Sequence, residues 1–381
     1  METFIGGYGY FAPVAIYLIL TPTLTKLFLS ESRGKSFAKY TIKWFATARL
    51  VACVYGVIWT AIAFGLPLYS AVDGLSDAIK ESLTSLLWML SHSVYFYAIY
   101  ASAVTVFIAC RIPRLAEFLA KGVNLIEYIG QFLIPIIPFL MMAIGAYVTI
   151  LPEVLEKSLG ADLGDFRVNI VRILGFPVDI TTPLGMVLLY VLGALLTGLV
   201  SGLWHAGLLF LVKRAKPDFS LKAYFSEYWI KVYPMLWATS SEALGTPLNM
   251  HLIKKFCPTI PDEVRHFVVG TGSFLNINGT IINVFLMTGL VASILNFDIS
   301  LLQLLLSIPL VFLIGYGVPG IPGELILFGG PMALSMGVTP ELMPIFLGLF
   351  IGLQIGLPDS FRSAANSTDE CLCAIILNKK Y

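Results

Sequence analysis

The chain has 381 residues, 57% of them hydrophobic and 12% charged, with a mean hydropathy of +0.85. A soluble domain carries about a quarter charged residues, so a soluble fold is excluded and the chain reads as an integral membrane protein. A net charge of +1 excludes bulk attraction to nucleic acid, and the scattered cysteines (Cys53, Cys110, Cys257, Cys371, Cys373) offer neither a disulfide framework nor a metal spacing.

A spanning helix needs about 20 apolar residues. In chain order such stretches lie near 8–29, 42–68, 84–110, 124–150, 184–213, 266–295 and 342–377. The opening "METFIGGYGY" lacks a basic run ahead of an apolar one, so no cleaved signal peptide is expected. Segment 155–182 reads as an external loop with a short amphipathic helix. Two further apolar stretches, 224–253 and 301–334, are broken in the middle by Gly, Pro or Ser, which disfavour an uninterrupted helix.

Lys and Arg concentrate in "SRGKSFAKYTIK", "RIPRLAEFLAK", "KRAKPDFSLK", "KKFCPTIPDEVRH" and the final "NKK", which the positive-inside rule makes cytoplasmic. The N-terminus is then outside and the C-terminus cytoplasmic, so the number of spans is odd and each broken stretch enters and leaves on one side. The expected fold is an all-α polytopic membrane protein with seven spanning helices and two re-entrant helical hairpins. Each hairpin precedes one span, and the two units run in opposite directions, an inverted repeat that sets a binding site near the bilayer midplane.

Two polar islands interrupt the apolar pattern. Taken as one helix, 342–377 is roughly 50 Å long at 1.5 Å per residue, with "PDSFRSAANSTDE" in its middle. Asp359, Arg362, Ser363, Asn366 and Glu370 follow i, i+3, i+4, i+7, i+11 and form one stripe. Intramembrane charges normally face a protein interior or a cavity and carry function; an Asp–Arg pair that only braces the bundle is the alternative. A loop between two short helices fits less well, because neither Gly nor Pro occurs between 359 and 377. In the second island, "SFLNINGTIIN", Asn276, Asn278 and Thr280 surround Gly279. It suggests a locally unwound helix whose carbonyls face a cation, or polar glue between helices. His92, His205, His251 and His266 show no metal-ligand spacing and read as structural or interfacial. With no G-x-S-x-G elbow either, an intramembrane enzyme is a remote class; a channel is another, since polar stripes also line pores.

"DSFRSAANSTDE" resembles the last-helix motif of the glutamate/aspartate transporters, the dicarboxylate/amino acid:cation symporters. "NINGT" is similar to their Asn-Met-Asp-Gly-Thr motif, "TSSEAL" to the serine-rich tip of their first hairpin and "GYGVPGIPG" to the tip of their second. These motifs occur in family order over residues 224–378; upstream the helices match only in pattern, one N-terminal span fewer than the family usually has. The resemblance implies a secondary active transporter, not an enzyme, that moves an acidic amino acid or dicarboxylate across the membrane coupled to a cation gradient, by elevator-type alternating access. It implies a homotrimer in the plasma membrane, contacting lipid and a small-molecule substrate. No cofactor is implied beyond sodium as coupling ion, with a proton as the rival. The chain would divide into a scaffold helix (1–34), a transport-unit helix with an external loop (35–82), scaffold helices (83–150), an external loop (151–183) and the transport core (184–381).

Residue by residue, the resemblance makes Arg362 the partner of the substrate's side-chain carboxylate, with Thr280 assisting, and Asp359 the partner of its ammonium. Asn366 with the tip residues Ser240 and Ser241 would hold the main-chain carboxylate, and Ser363, Gly317, Val318, Pro319 and Gly320 would line the substrate. Asn276, Asn278, Asn366 and Glu370 would surround cation sites. Several positions depart from the family. Asn278 and Ile355 stand where carboxylates are usual, Glu370 replaces an Asp, Glu242 replaces a small polar residue, and Pro322 replaces a glycine whose N–H contacts substrate. Fewer bound sodium ions are therefore expected. The alternative is a proton-coupled or exchanging carrier of another small carboxylate or amino acid, with Glu242 partly neutralising Arg362.

Overall fold

The computed structural model describes residues 31–68, 94–130, 168–240, 242–315, 326–336 and 342–381, with single positions elsewhere. Among the described residues the first continuous helices are α1 (Glu31–Phe64), α2 (Val94–Ala109) and α3 (Pro113–Gly130). α3 begins inside the basic stretch "RIPRLAEFLAK" and turns it into helix, with Pro113 at the first position, where a missing N–H costs nothing. The predicted spans 8–29 and 124–150 fall mostly outside the described residues.

Within the predicted external loop, the described part is a β-hairpin rather than an amphipathic helix. β1 (Ile170–Ile173) pairs antiparallel with β2 (Phe176–Asp179). The two-residue turn puts Leu174 and Gly175 at φ 52 and 84, the doubly positive geometry that matches strand twist. Val171, Ile173 and Val178 pin the hairpin to the helical core. α4 (Pro183–Ala215) follows, its first turn capped by Thr182 Oγ1, which accepts from Gly185 N at 3.0 Å. Leu184, Leu188, Leu195, Leu199 and Leu203 form an exposed apolar face on α4, opposite the buried Leu189, Gly193, Leu196 and Val200. An apolar face of this length suits lipid rather than water.

The first broken stretch is a helical hairpin. Its inbound arm runs through Leu221–Ala223, a π-helical turn Tyr224–Trp229 and α5 (Ile230–Thr239); its outbound arm is α6 (Glu242–Phe256). Between them Ser240 adopts a left-handed φ of 48°. The arms are antiparallel: Gly245 lies against Leu236, Tyr228 OH donates to Asn249 Oδ1 at 2.5 Å, and Tyr228 stacks on Phe256 with centroids 5.8 Å apart. The second broken stretch supplies α9 (Leu301–Ile314) and α10 (Ile326–Ser335), which pack together. Its tip, including Gly317, Val318, Pro319, Gly320 and Pro322, lies outside the described residues, as does Ser241.

Between the two hairpins, α7 (Asp262–Leu275) and α8 (Asn278–Ile294) form the predicted unwound span. Asn276 (φ −91°, ψ 66°) and Ile277 (φ −102°, ψ 35°) leave the helical region between them. The last span is not one long helix. α11 (Met343–Gln354) and α12 (Leu357–Asn378) meet at a 64° bend. Ile355 is extended and Gly356 has φ 88°, a value that disfavours a Cβ, while Pro358 fits only a first helical turn. The breakers lie just before residue 359, so the polar cluster starts in the first turn of α12 rather than mid-helix. Tyr190 OH seals the bend, donating to Ile355 O at 2.8 Å and accepting from Leu357 N at 2.7 Å.

Among the described residues, three stretches are long and apolar enough to cross a membrane, Ser36–Phe64, Pro183–Ala215 and Asp262–Ile294, and the bent α11–α12 pair makes a fourth. They coincide with the predicted spans 42–68, 184–213, 266–295 and 342–377. α12 is the axis: it is buried from Arg362 to Ile375 and packs on α4, α5, α6, α7 and α8. If the bend is needed, Gly356→Ala should cost about 1–3 kcal/mol through backbone strain. Gly330→Ala, where an added Cβ meets nothing within 4 Å, should instead stabilise α10 by ~0.5–1 kcal/mol. Thermal unfolding of the detergent-purified variants measures both signs.

A buried polar site where two broken helices meet

The bends at 276–277 and 355–356 bring the start of α8 against the first half of α12. Gly279 makes this approach possible: a Cβ there would lie 2.6 Å from the Arg362 carbonyl oxygen and 3.0 Å from Asn366 Oδ1. The Gly279 N–H donates to Asn366 Oδ1 at 2.6 Å, a bond between one helix start and a side chain of the other.

Arg362 is fully buried and its guanidinium is surrounded. Nε donates to Asp359 Oδ1 at 2.6 Å, with Nη2 also against that oxygen, and Nη1 donates to Thr280 Oγ1 at 2.7 Å. Gln354, the last residue of α11, adds a 3.0 Å bond from Nε2 to Asp359 Oδ1 across the bend. Glu242, the first residue of α6, reaches in from the hairpin tip. Its Oε1 accepts from Asn366 Nδ2 at 2.6 Å and lies 3.6 Å from Arg362 Nη1. Asn366 Nδ2 also donates to Thr280 Oγ1 at 2.9 Å. At the tip itself, Ser240 Oγ is 3.0 Å from Ser360 Oγ.

The structure thus gathers Asp359, Arg362, Asn366 and Thr280 into one cluster, joined by Glu242, with Ser240 at its edge. Ser363 is buried on α12, and its hydroxyl has no hydrogen-bond partner among the described residues. Asn276 and Asn278 form a chain beside the cluster: Asn278 Nδ2 donates to Asn276 Oδ1 at 2.8 Å, and Asn276 Nδ2 to the Asn366 carbonyl at 2.7 Å. Glu370 stands one turn further along α12, its Oε2 accepting from Asn249 Nδ2 at 2.7 Å. Gln354, Asn249 and Ser360 were missing from the sequence-level site, although Gln354 and Asn249 are polar residues in apolar runs, as in "LFIGLQIGL", and Ser360 lies within the polar motif itself. Arg49 was missed as well. It is buried in α1, and its Nη2 donates to Leu275 O at the α7–α8 break, at 2.9 Å.

A second polar network lies off the stripe. His205 Nδ1 on α4 is 2.5 Å from Asp369 Oδ1, Trp204 Nε1 donates to Asp369 Oδ2 at 3.1 Å, and Tyr224 OH lies 3.0 Å from His205 Nε2. His205 therefore has the structural surroundings its sequence context suggested. It also lines a cavity of about 280 Å³ with Thr368, Phe361 and Trp229.

Helices that break where they meet, around a buried guanidinium and several carboxylates, form a polar site inside an apolar bundle that fits a membrane protein. The chain belongs to the sodium:dicarboxylate symporter family, whose sequence model matches residues 171–380, and it is accordingly a transporter rather than an enzyme. No curated protein matches it significantly. The family implies sodium, and two of the expected cation-site residues keep an oxygen that such an ion would satisfy: Glu370 Oε1 and Asn278 Oδ1 are both buried without a hydrogen-bond partner among the described residues. Glu370 Oε1 lies against Gly272, where a proton or a monovalent cation would satisfy it. The oxygens of Asn276 and Asn366 are already engaged by N–H donors.

Gly279→Ala tests the approach of the two helices. Its methyl group would press on backbone, so the variant should lose about 1–3 kcal/mol of stability and bind substrate at least roughly tenfold more weakly. Unaltered melting and binding would show that α8 and α12 do not meet at this residue.

Proposed function

We propose that the chain is a cation-coupled secondary carrier of a small amino acid with one carboxylate, read by Arg362. The observation that carries this is the position of Glu242, whose Oε1 lies between Arg362 Nη1 and Asn366 Nδ2. The family resemblance allots these donors to the substrate's carboxylates, Arg362 to the side-chain one and Asn366 to the main-chain one. Counted as ionised, Asp359 and Glu242 already give the cluster one more negative charge than Arg362 cancels. A dicarboxylate would add two more in a site without bulk water, a large electrostatic cost. An amino acid with an apolar or hydroxyl side chain brings one carboxylate and an ammonium, which Asp359 and Glu242 suit.

Membership of a sodium:dicarboxylate family favours a second reading, an acidic amino acid or dicarboxylate. In that case Glu242 must leave Arg362 or carry a proton when substrate arrives. On either reading Glu370 supplies the charge for a coupling cation, proton coupling through Glu370 or Glu242 being the rival. Elevator movement, a homotrimeric scaffold, a plasma-membrane location and an external N-terminus belong to the proposal on the strength of the family and of the loop charges.

Thermal-shift and proteoliposome uptake assays with alanine, serine, aspartate, glutamate and succinate test it. Wild type should prefer alanine or serine, and Glu242→Gln should move the preference toward the dicarboxylates by roughly tenfold or more. A wild type that takes dicarboxylates first, and a Glu242→Gln variant with the same order, would sink the assignment. Arg362→Lys keeps the charge and loses the planar fork. It should weaken every carboxylate substrate by about 1.5–3 kcal/mol while the protein still folds.

A further inference from the structure

We propose that Arg49 is a resident cation: its guanidinium fills the position at the α7–α8 break that a carbonyl-bound sodium ion would otherwise take, so a fixed side chain replaces one coupling ion. The sequence pattern "NINGT" suggests either freed carbonyls facing a cation at this break or polar glue between helices. The cation found there is part of the chain.

The geometry follows from one displaced hydrogen bond. In an unbroken helix the Leu275 carbonyl would accept from Gly279 N. Here Gly279 N donates to Asn366 Oδ1 at 2.6 Å instead, and Asn276 and Ile277 are not helical. Leu275 O is thereby released, and Arg49 Nη2 donates to it at 2.9 Å. Nη1 lies 3.4 Å from the carbonyl of Phe312, in the last turn of α9. Both carbonyls belong to helix C-terminal ends, where the aligned peptide dipoles leave partial negative charge. The Phe312 ring centroid is 6.0 Å from the guanidinium carbon, and a Cβ on Gly315 would stand 3.3 Å from Nη1, so backbone closes tightly around the group. Arg49 sits near the middle of the 34-residue α1 and is fully buried.

A sodium ion on the Leu275 oxygen would stand against the like-charged guanidinium that already occupies this place, so the two exclude each other there. The neighbouring Asn278 is neutral, so it supplies no charge to attract a free ion; a tethered cation needs none, because it has no association entropy to overcome. Fixed to α1, the charge also links that helix to the break and to the first arm of the second hairpin, whatever the ion concentration.

The proposal builds on the reading of the chain as a cation-coupled carrier, but its test does not need transport. Melting temperature is measured against sodium, with choline holding ionic strength constant, for wild type, Arg49→Gln, Arg49→Ala and Arg49→Lys. Arg49→Gln and Arg49→Ala should gain a sodium-dependent rise on the order of 5 °C that wild type and Arg49→Lys lack. Low-millimolar guanidinium chloride should raise the melting temperature of Arg49→Ala and shift its sodium midpoint at least about threefold upward by competition, leaving wild type unmoved. Sodium titrations of folded Arg49→Gln and Arg49→Ala that superimpose on wild type would overturn the proposal. So would an Arg49→Lys variant that acquires the extra sodium response while still carrying its charge. A wild type without any sodium response would refute sodium coupling, yet the proposal about Arg49 would stand if the variants gain one.

Discussion

One hydrogen bond, from the Gly279 N–H to Asn366 Oδ1, organises the polar interior of this protein. It removes the Gly279 donor from its own helix and so stabilises the break between α7 and α8. It aims the start of α8 at α12, which brings Thr280 onto Arg362 at 2.7 Å. It also releases the Leu275 carbonyl to Arg49, 226 residues earlier in the chain. A buried N–H without a partner costs about 1–3 kcal/mol, so the break persists only because the Asn366 amide replaces the lost helical acceptor. The geometry of the whole cluster therefore depends on an amide at position 366 and on the absence of a side chain at 279.

Burial then dictates how charge is arranged around that contact. In an apolar bundle each ion must find an opposite charge, a dipole end or several hydrogen bonds. Arg362 has Asp359 and Glu242; Arg49 has the carbonyl ends of α7 and α9. Both arrangements place a side chain where a diffusible ligand of opposite or equal charge could stand. Glu242 belongs to the first hairpin, so its contact with Arg362 and Asn366, with the Ser240–Ser360 contact beside it, fastens the hairpin tip to α12. On the proposed function a substrate carboxylate competes with that fastening, which would tie recognition to the position of the tip.

How much of this was legible in the sequence depends on how local each signal is. The stripe from Asp359 to Glu370 follows helical periodicity within one element, and the described helices along 42–68, 184–213 and 266–295 follow from apolar run length. The Asn276–Gly279 break was legible because amides and a glycine stood together in a span. The bend at Gly356 was not: breakers were sought after residue 359, and Gly356 and Pro358 lie just ahead of it. The β-hairpin was masked because "ILGF" holds only one glycine, and Leu174 takes the other positive φ. Arg49 was hidden differently. In "TARL" it reads as the tail of a basic stretch, and only the fold shows that it is buried against residues far along the chain.

The alternative reading of the polar stripe, a pair that merely braces the bundle, weakens on the evidence of α12 itself, because bracing is carried by another face of that helix. Asp369 precedes Glu370 by one residue and so points roughly 100° away from the stripe. There it meets His205 and Trp204 of α4, and Tyr224 of the first hairpin closes the network through His205. Every member is hydrogen-bonded and all but the half-buried Trp204 are buried, so the network ties α4, α12 and the hairpin's inbound arm together. Glu370 on the stripe side keeps one carboxylate oxygen without a hydrogen-bond partner among the described residues. A helix that completes the bonding of one acidic residue and leaves the next incomplete separates the two positions: Asp369 is fixed in a network, and Glu370 keeps the open oxygen to which the proposed function assigns a cation.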